Sequence, residues 1–187
     1  MIAQQPYAPG PAGGARIEKD GGKWTLVLVR QLRHSPKTVW TALTDPAQLR
    51  EWAPFDADGS LDRPGKVVKL STAGAPKAPV SETKVLRADA PNVLEYNWGD
   101  QDMRWQLEDY DGGTRLTLWT NIHRPYIAMG AAGWHICFDV LDRWLTGSPI
   151  GRIVGPDAMK FGGWQRLHAE YAKQFGVEAP KPPSPTA

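Results

Sequence analysis

The segment SPKTVWTALTDPAQLREW, residues 35–52, carries two helix-start signals in succession. Ser35 precedes Pro36, which pairs a hydroxyl suited to the N-cap position with a proline whose φ suits the first helical turn. Asp45 and Pro46 repeat this arrangement further along the segment. Apolar residues at three-and-four spacing follow each signal, so the segment predicts two short helices in a row. These apolar residues are Val39, Trp40, Leu43, Leu49 and Trp52.

Alternating strand patterns lie on both sides of this helical pair. Residues 23–34 precede it and place Trp24, Leu26 and Leu28 on one face of a strand. After it come short runs separated by turn signals, the clearest of which is the Asp-Gly-Gly sequence at 111–113. The last three runs have one apolar and one polar face, which is typical of an antiparallel sheet with one solvated side. The runs are residues 66–72, 81–88, 92–98, 102–110 and 114–122.

Trp119 is the exception to this alternation, because it falls on the polar side of its strand. A large apolar side chain at such a position often marks an exposed apolar patch or a contact between subunits. A homodimer that forms through this sheet face explains the residue most simply. Docking of a larger protein on the same face is the alternative.

Residues 131–147, AAGWHICFDVLDRWLTG, predict a helix in the C-terminal part of the chain. At about 100° per residue its apolar side chains form one continuous stripe. Cys137 lies on this stripe and is predicted to be a small core residue. His135 falls on the opposite side of the helix, so the two residues cannot form a nucleophile pair within it. The stripe consists of Trp134, Cys137, Phe138, Leu141 and Leu145.

His135 and Asp139 have the i, i+4 spacing that lets two metal ligands share one helix face. No third nitrogen or sulfur ligand falls on that face, and the other histidines are scattered along the chain. We therefore expect no metal there, but a solvated helix flank on which Asp139 pairs with Arg143. A second helical tract follows at residues 156–175, after a glycine-rich connection that lacks the pattern of a phosphate-binding loop.

Length, charge and cysteine content limit the classes of function. The 187 residues suffice for one well-buried domain, and the formal net charge is +2. A net charge this small does not favour binding to nucleic acid. No apolar run is long enough for a membrane span. The single cysteine excludes an internal disulfide, which suits a cytoplasmic location. Residues 1–22 are rich in proline, glycine and alanine, and residues 177–187 are rich in proline. We expect both to be flexible tails around one domain at residues 23–176.

The order of these elements is similar to that of a known family. The chain resembles the activator of heat-shock-protein-90 ATPase homologue family, within the START and birch-pollen-allergen-like (SRPBCC) superfamily. The resemblance extends over residues 24–175, although residues 147–163 look like an insertion that interrupts the usual long helix. The matching positions are Val39-Trp40, Leu43-Thr44-Asp45-Pro46, Trp52, Thr114-Arg115-Leu116, Gly133-Trp134 and Leu141.

This resemblance implies an α+β helix-grip fold. In that fold a curved antiparallel β-sheet wraps around a long C-terminal helix, with two short helices after the first strand. A cavity lies between the sheet and the helix, and superfamily members bind small hydrophobic molecules there. We therefore expect the chain to bind a small hydrophobic molecule, without a metal or another cofactor. The residues expected to line the cavity are Trp52, Phe55, Tyr96, Trp98, Trp105, His123, Trp134, Phe138 and Leu141.

Two other functions remain open on this basis. The first is a module that activates an Hsp90-type chaperone ATPase, although the separate N-terminal domain of the chaperone activator is not in this sequence. The second is an enzyme that works in the cavity, such as a polyketide cyclase-like protein or a hydrolase. It would need a general acid or base, for which His123 and Glu82 are the candidates. Neither lies in a catalytic motif, so no catalytic residue is predicted. Asn97, Thr120 and His123 are the polar side chains that would orient a ligand.

Overall fold

The computed structural model describes residues 6–178; residues 1–5 and 179–187, which belong to the predicted tails, lie outside this range. The strands are β1 (Ala15–Asp20), β2 (Lys23–Leu32), β3 (Phe55–Ala57), β4 (Val67–Thr72), β5 (Val80–Lys84), β6 (Arg87–Asp89), β7 (Val93–Trp98), β8 (Gln101–Tyr110) and β9 (Gly113–Asn121). The α-helices are α1 (Pro36–Thr44), α2 (Pro46–Trp52), α3 (Ile127–Leu145), α4 (Gly155–Lys160) and α5 (Gly162–Phe175). None of these helices has the length and apolar character that crossing a membrane requires.

The strands form two antiparallel sheets. The larger sheet has the order β1-β2-β9-β8-β7-β6, and the smaller one has the order β3-β4-β5. A short 3-10 turn at Arg124–Tyr126 leads from β9 into α3. Helix α3 packs on the larger sheet through β2, and α5 packs on α3.

Side-chain caps set the helical pair that follows β2. The Ser35 hydroxyl accepts a hydrogen bond of 3.2 Å from the Thr38 N–H at the start of α1. Asp45 serves both helices. Its N–H donates to the Thr41 carbonyl at the end of α1, and its carboxylate accepts a bond of 2.8 Å from the Ala47 N–H in α2. The predicted pair of helices is therefore confirmed, with Asp45 as the corner between them.

The core lies between the inner face of the larger sheet and α3. Leu28, Leu118 and Trp105 are successive cross-strand neighbours on β2, β9 and β8, and each is at most 2 % exposed. Phe138 of α3 packs on Trp105, with ring centroids 6.0 Å apart. The predicted α+β fold, with an antiparallel sheet packed against a long C-terminal helix, is confirmed.

The N-terminal segment differs from the flexible tail predicted for residues 1–22. Strand β1 pairs with β2 over its whole length, so the helical pair follows the second strand and not the first. Residues 6–14 lie against α5, where the Ala12 N–H donates a hydrogen bond of 2.8 Å to the Glu170 carboxylate. The partners of this segment lie far along the chain. Its local composition therefore did not indicate that it is ordered.

Trp119 does not form the exposed apolar patch that the sequence predicted. The side chain is half-buried, and the guanidinium of Arg104 lies 5.3 Å from its ring centroid. The two residues are direct cross-strand partners in the β8–β9 register, which holds the cation over the ring. The homodimer through this face stays a prediction.

Candidate ligand-binding cleft

A cleft of about 370 Å³ opens between α3, the end of β4, the corner between β7 and β8, and α4. Its walls are mostly apolar. Three tryptophans and two methionines are among the lining residues, and Thr72 and Gln101 are among the few polar side chains. These tryptophans and methionines are Trp98, Trp134, Trp164, Met129 and Met159.

Two glycines line the cleft on the α3 wall. A Cβ atom added to Gly133 would meet no atom within 4 Å, whereas one added to Gly130 would lie 2.4 Å from Cδ1 of Ile122. Gly130, Gly133 and Cys137 recur at three-and-four spacing, so small residues share one face of α3. The cleft lies along this face, because small residues leave the space that large side chains fill elsewhere in the core.

Residues 148–161, termed the lid segment, close the opposite side of the cleft and contain α4. An ion pair of 2.7 Å joins Arg152 of this segment to Asp56 of β3. Gly155 packs directly on Gly74 in the turn after β4, because a Cβ atom on Gly155 would lie only 3.0 Å from the Gly74 Cα. Both glycines have positive φ angles, which other residues rarely adopt. One ion pair and one close backbone contact therefore dock the lid segment on the smaller sheet.

The cleft carries no formal charge on its walls. All of the residues that line it fall within the described range, and none of them is acidic, basic or a histidine. Cys137 is 3 % exposed, and burial raises the pKa of its thiol to about 12, so the thiol is neutral. The chemistry of the cleft suits an uncharged apolar group, and its lining residues offer no carboxylate or imidazole for acid–base chemistry.

The structure separates the residues predicted to line the cavity into three groups. Trp98 and Trp134 line the cleft and meet edge to face, with ring centroids 6.2 Å apart. The His123 ring is 82 % exposed and faces Asp100 at 3.8 Å, beside a different surface depression. The remaining residues belong to the packed core, where each is at most 2 % exposed. They are Trp52, Phe55, Tyr96, Trp105, Phe138 and Leu141.

These core side chains fill the space in which the sequence predicted a cavity. Trp105 alone contacts three other rings, with centroid distances of 6.1 Å to Trp52, 5.6 Å to Trp134 and 6.0 Å to Phe138. Rings at such distances and tilts make favourable edge and face contacts. Most of the predicted aromatic stripe is therefore a packing surface, and the cleft lies beside it.

The other polar candidates also lie off the cleft wall. Asn97 donates a hydrogen bond of 2.9 Å to Asp102, and the buried Thr120 hydroxyl donates to the Met103 sulfur at 3.3 Å. Glu82 is exposed on β5. Within residues 6–178, no three histidine, cysteine or acidic side chains come together as metal ligands would.

His135 and Asp139 do not form the solvated helix flank that the sequence predicted. Helix α5 covers this side of α3, so His135 is only 6 % exposed, and its Nδ1 shares a hydrogen bond of 2.7 Å with the Tyr171 hydroxyl. Asp139 pairs with Arg30 of β2 and not with Arg143 as predicted. The difference arises from the contact between α3 and α5. The periodicity of one helix shows which residues share a face, but not which other helix covers that face.

The role of the two α3 glycines and the docking of the lid segment were not predicted from the sequence. The glycines had a detectable signal, because Gly130 and Gly133 fall on the same helical face as Trp134 and Cys137. The docking of the lid segment had none. A run rich in glycine and proline predicts a loop but not the surface on which that loop docks.

Solved structures of several proteins share this fold. The protein of unknown function EF2215 from Enterococcus faecalis has a TM-score of 0.66 at 15% identity, over 86% of this chain and 89% of its own. CalU16 from Micromonospora echinospora has a TM-score of 0.60 at 20% identity, over 89% of this chain and 98% of its own. An AHSA1-like protein from Aeromonas hydrophila has a TM-score of 0.55 at 17% identity, over 66% of this chain and 93% of its own. At these identities the likeness shows the fold alone.

The family assignment comes from the sequence of the central part of the chain. No curated protein matches the chain. The family described as Activator of Hsp90 ATPase homolog 1-like protein matches residues 33–146, from the residue after β2 to the residue after α3. This range is more than half of the 187 residues. The chain therefore belongs to the Activator of Hsp90 ATPase homolog 1-like family, within the SRPBCC superfamily.

Proposed function

We propose that the protein binds one small, uncharged and largely apolar molecule in the cleft. The observation that carries this proposal is the composition of the walls, where three indoles and two thioethers surround about 370 Å³ and no lining residue is charged. A volume of this size is typical of pockets for small molecules, which are mostly apolar with a few polar groups. Thr72 and Gln101 are the side chains suited to fix the orientation of the ligand.

The uncharged wall argues for an uncharged ligand. An ion that leaves water for apolar surroundings without a partner loses several kcal/mol of solvation. An uncharged ring system loses little and gains the burial of its apolar surface. Tyr126 and Met159 are 56 % and 42 % exposed, and they extend the apolar surface outward from the cleft.

A matched pair of fluorescent probes tests the proposal. N-phenyl-1-naphthylamine is uncharged, and 8-anilinonaphthalene-1-sulfonate adds one sulfonate to the same ring skeleton. We expect the uncharged probe to bind at one site, to quench tryptophan fluorescence, and to raise the free energy of unfolding by about 2.7 kcal/mol at a hundredfold excess over Kd. The sulfonate should bind about tenfold more weakly or worse, because its charge has no partner in the wall. Equal binding of both probes, or binding of neither, would refute the proposal.

Gly133 gives a way to fill the cleft without disturbing the core. The Gly133→Leu side chain would project into open space, so it should abolish probe binding and leave the fold intact. Gly133→Ala is the control for backbone effects, and Ala169→Leu, at an exposed position of α5, is the control for added apolar bulk. Unchanged probe affinity in Gly133→Leu would place the binding site elsewhere.

A further inference from the structure

Residues 6–14, termed the N-terminal strap, run across the surface of α5. Arg166 donates a hydrogen bond of 3.1 Å to the Gly10 carbonyl. The Gly13 N–H donates to the Tyr171 hydroxyl at 3.2 Å, and that hydroxyl donates to the Gly13 carbonyl at 2.9 Å. The Val29 N–H of β2 donates to the Gly14 carbonyl at 2.7 Å, where the strap joins the sheet. The strap is therefore fixed at intervals along its length.

The strap also contacts the end of the lid segment. The rings of Tyr7 and Phe161 stack, with centroids 5.7 Å apart and an angle of 20° between their planes. A Cβ atom on Gly163 would lie 2.6 Å from Pro9 Cδ and 2.6 Å from Phe161 Cε1, so strap, lid segment and α5 are packed without space between them. Phe161 stands between α4 and α5, whose residues Met159 and Trp164 line the cleft.

The same tyrosine is tied to the body of the domain. The Tyr7 hydroxyl donates a hydrogen bond of 2.5 Å to Asp139 of α3, and Asp139 pairs with Arg30 of β2. Burial and the bond to Asp139 raise the pKa of the Tyr7 phenol above its ordinary range, which keeps it protonated as the donor. Tyr7 thus connects the lid segment, through Phe161, to α3 and the larger sheet.

Both connected segments lie outside residues 33–146, the range that matches the family. The strap precedes this range and the lid segment follows it, yet the two meet at the Tyr7–Phe161 contact. Two segments from opposite sides of the matched range therefore meet beside the cleft.

We propose that the N-terminal strap is a latch that holds the lid segment closed and thereby controls access to the cleft. Release of Tyr7 frees Phe161 and loosens the lid segment, whose other contacts are the ion pair of Arg152, the backbone contact of Gly155 and apolar packing on the core. The control of ligand exchange rests on the proposed function. The control of solvent access to the cleft does not, and it can be measured without a ligand.

Cys137 is a built-in reporter for this movement. It is the single cysteine of the chain, it lines the cleft, and it is 3 % exposed, so a thiol reagent reaches it only when the cleft opens. We expect Tyr7→Ala to accelerate labelling by the uncharged reagent 4,4′-dithiodipyridine about tenfold or more, because an aromatic contact and a charge-assisted hydrogen bond are lost. Tyr7→Phe keeps the ring, so its labelling rate should lie between those of Tyr7→Ala and the parent protein.

Matched variants separate the latch from a general loss of stability. Tyr110→Ala removes an exposed tyrosine that stacks on Arg115 away from the cleft, and it should leave labelling unchanged. Phe161→Ala removes the other half of the contact, so the double variant with Tyr7→Ala should label no faster than the faster single variant. Labelling through local opening is insensitive to low urea concentrations, whereas labelling through global unfolding rises with them.

The outcomes distinguish the latch from the proposed function. An unchanged labelling rate in Tyr7→Ala would overturn the latch. So would an acceleration no larger than the factor that its loss of unfolding free energy accounts for by global unfolding. Faster labelling by local opening upholds it, whether or not N-phenyl-1-naphthylamine binds. Where the probe binds the parent protein, Tyr7→Ala should raise its dissociation rate in stopped-flow measurements by about the same factor as the labelling rate. A dissociation rate that does not change would refute the control of ligand exchange.

Discussion

The indole N–H of Trp105 donates a hydrogen bond of 3.2 Å to the hydroxyl of Tyr96, inside a core where both residues are at most 2 % exposed. The two side chains come from adjacent strands, β8 and β7. The bond gives the buried Trp105 N–H an acceptor and the Tyr96 oxygen a donor, which allows two large amphipathic side chains to be buried together. The Tyr96 hydroxyl is therefore part of the packing of the core, where burial keeps it out of contact with the cleft.

The Tyr96→Phe variant should be destabilised although it keeps the ring. The change leaves the buried Trp105 N–H without an acceptor, which costs about 1–3 kcal/mol of unfolding free energy. Urea unfolding followed by tryptophan fluorescence measures the difference. Tyr110→Phe, at a more exposed position, should stay within about 0.5 kcal/mol of the parent. If both variants unfold at the same urea concentration, the hydrogen bond contributes nothing to stability.

The two glycines of the α3 wall should respond in opposite ways to alanine. Gly133→Ala adds a methyl group in open space within a helix, so we expect a gain of about 1 kcal/mol in unfolding free energy. Gly130→Ala adds one that collides with Cδ1 of Ile122, so strain should cancel or exceed this gain. Thermal melts of the two variants test the difference. A Gly130→Ala variant that is stabilised as much as Gly133→Ala would show that Ile122 moves freely.

Asp45 should be more important to stability than its position in a loop suggests. Its carboxylate caps α2, so Asp45→Ala should lower the unfolding free energy by about 1 kcal/mol. Asp45→Asn keeps an acceptor oxygen and should retain most of the stability. Chemical denaturation of the two variants gives the comparison, and equal losses would show that charge, and not capping, is the contribution of this residue.

The sequence predicted those elements whose signals are local. Ser35 and Asp45 cap helices through their own neighbours, and β7, β8 and β9 alternate because one face of each is buried. Strand β1 carries polar residues on nearly every position, with Ile17 as its one large apolar side chain, so it gave no such pattern. It is ordered because it pairs with β2 as the edge strand of the larger sheet. Such pairing depends on the fold and not on the residue pattern of the strand itself.

The position of the cleft could not be predicted from the aromatic residues. Large rings such as Trp105 and Phe138 fill space when they face one another, and their stripe therefore marks the dense part of the core. The cleft follows the small residues Gly130 and Gly133 instead, and its far wall comes from the lid segment. That wall depends on the contact of Gly155 with Gly74, between residues far apart in the chain.

The buried histidines should make the protein less stable in mildly acidic solution. Burial lowers the pKa of His135 below its ordinary value, and Arg30 and Arg166 add to this effect, while Asp139 and Glu170 oppose it. Burial also lowers the pKa of His168. In the unfolded chain both residues titrate near 6.5. Between this value and the lowered native pKa, the unfolded chain binds protons that the native protein does not.

The sign of the pH dependence follows from this difference. The contribution of each histidine to stability is fully present above a pH of about 6.5, and it is lost as the pH falls through that value toward the native pKa, by at most about 1.4 kcal/mol for each pH unit. Urea unfolding at several pH values between about 7.5 and 5.5, on either side of the unfolded pKa, should show this loss in the parent protein. His135→Gln and His168→Gln should each flatten the dependence, whereas His123→Gln, whose ring is 82 % exposed, serves as the control and should not. A parent protein whose unfolding free energy stays constant over this range would contradict the prediction, because a buried neutral imidazole must respond to acid in this way.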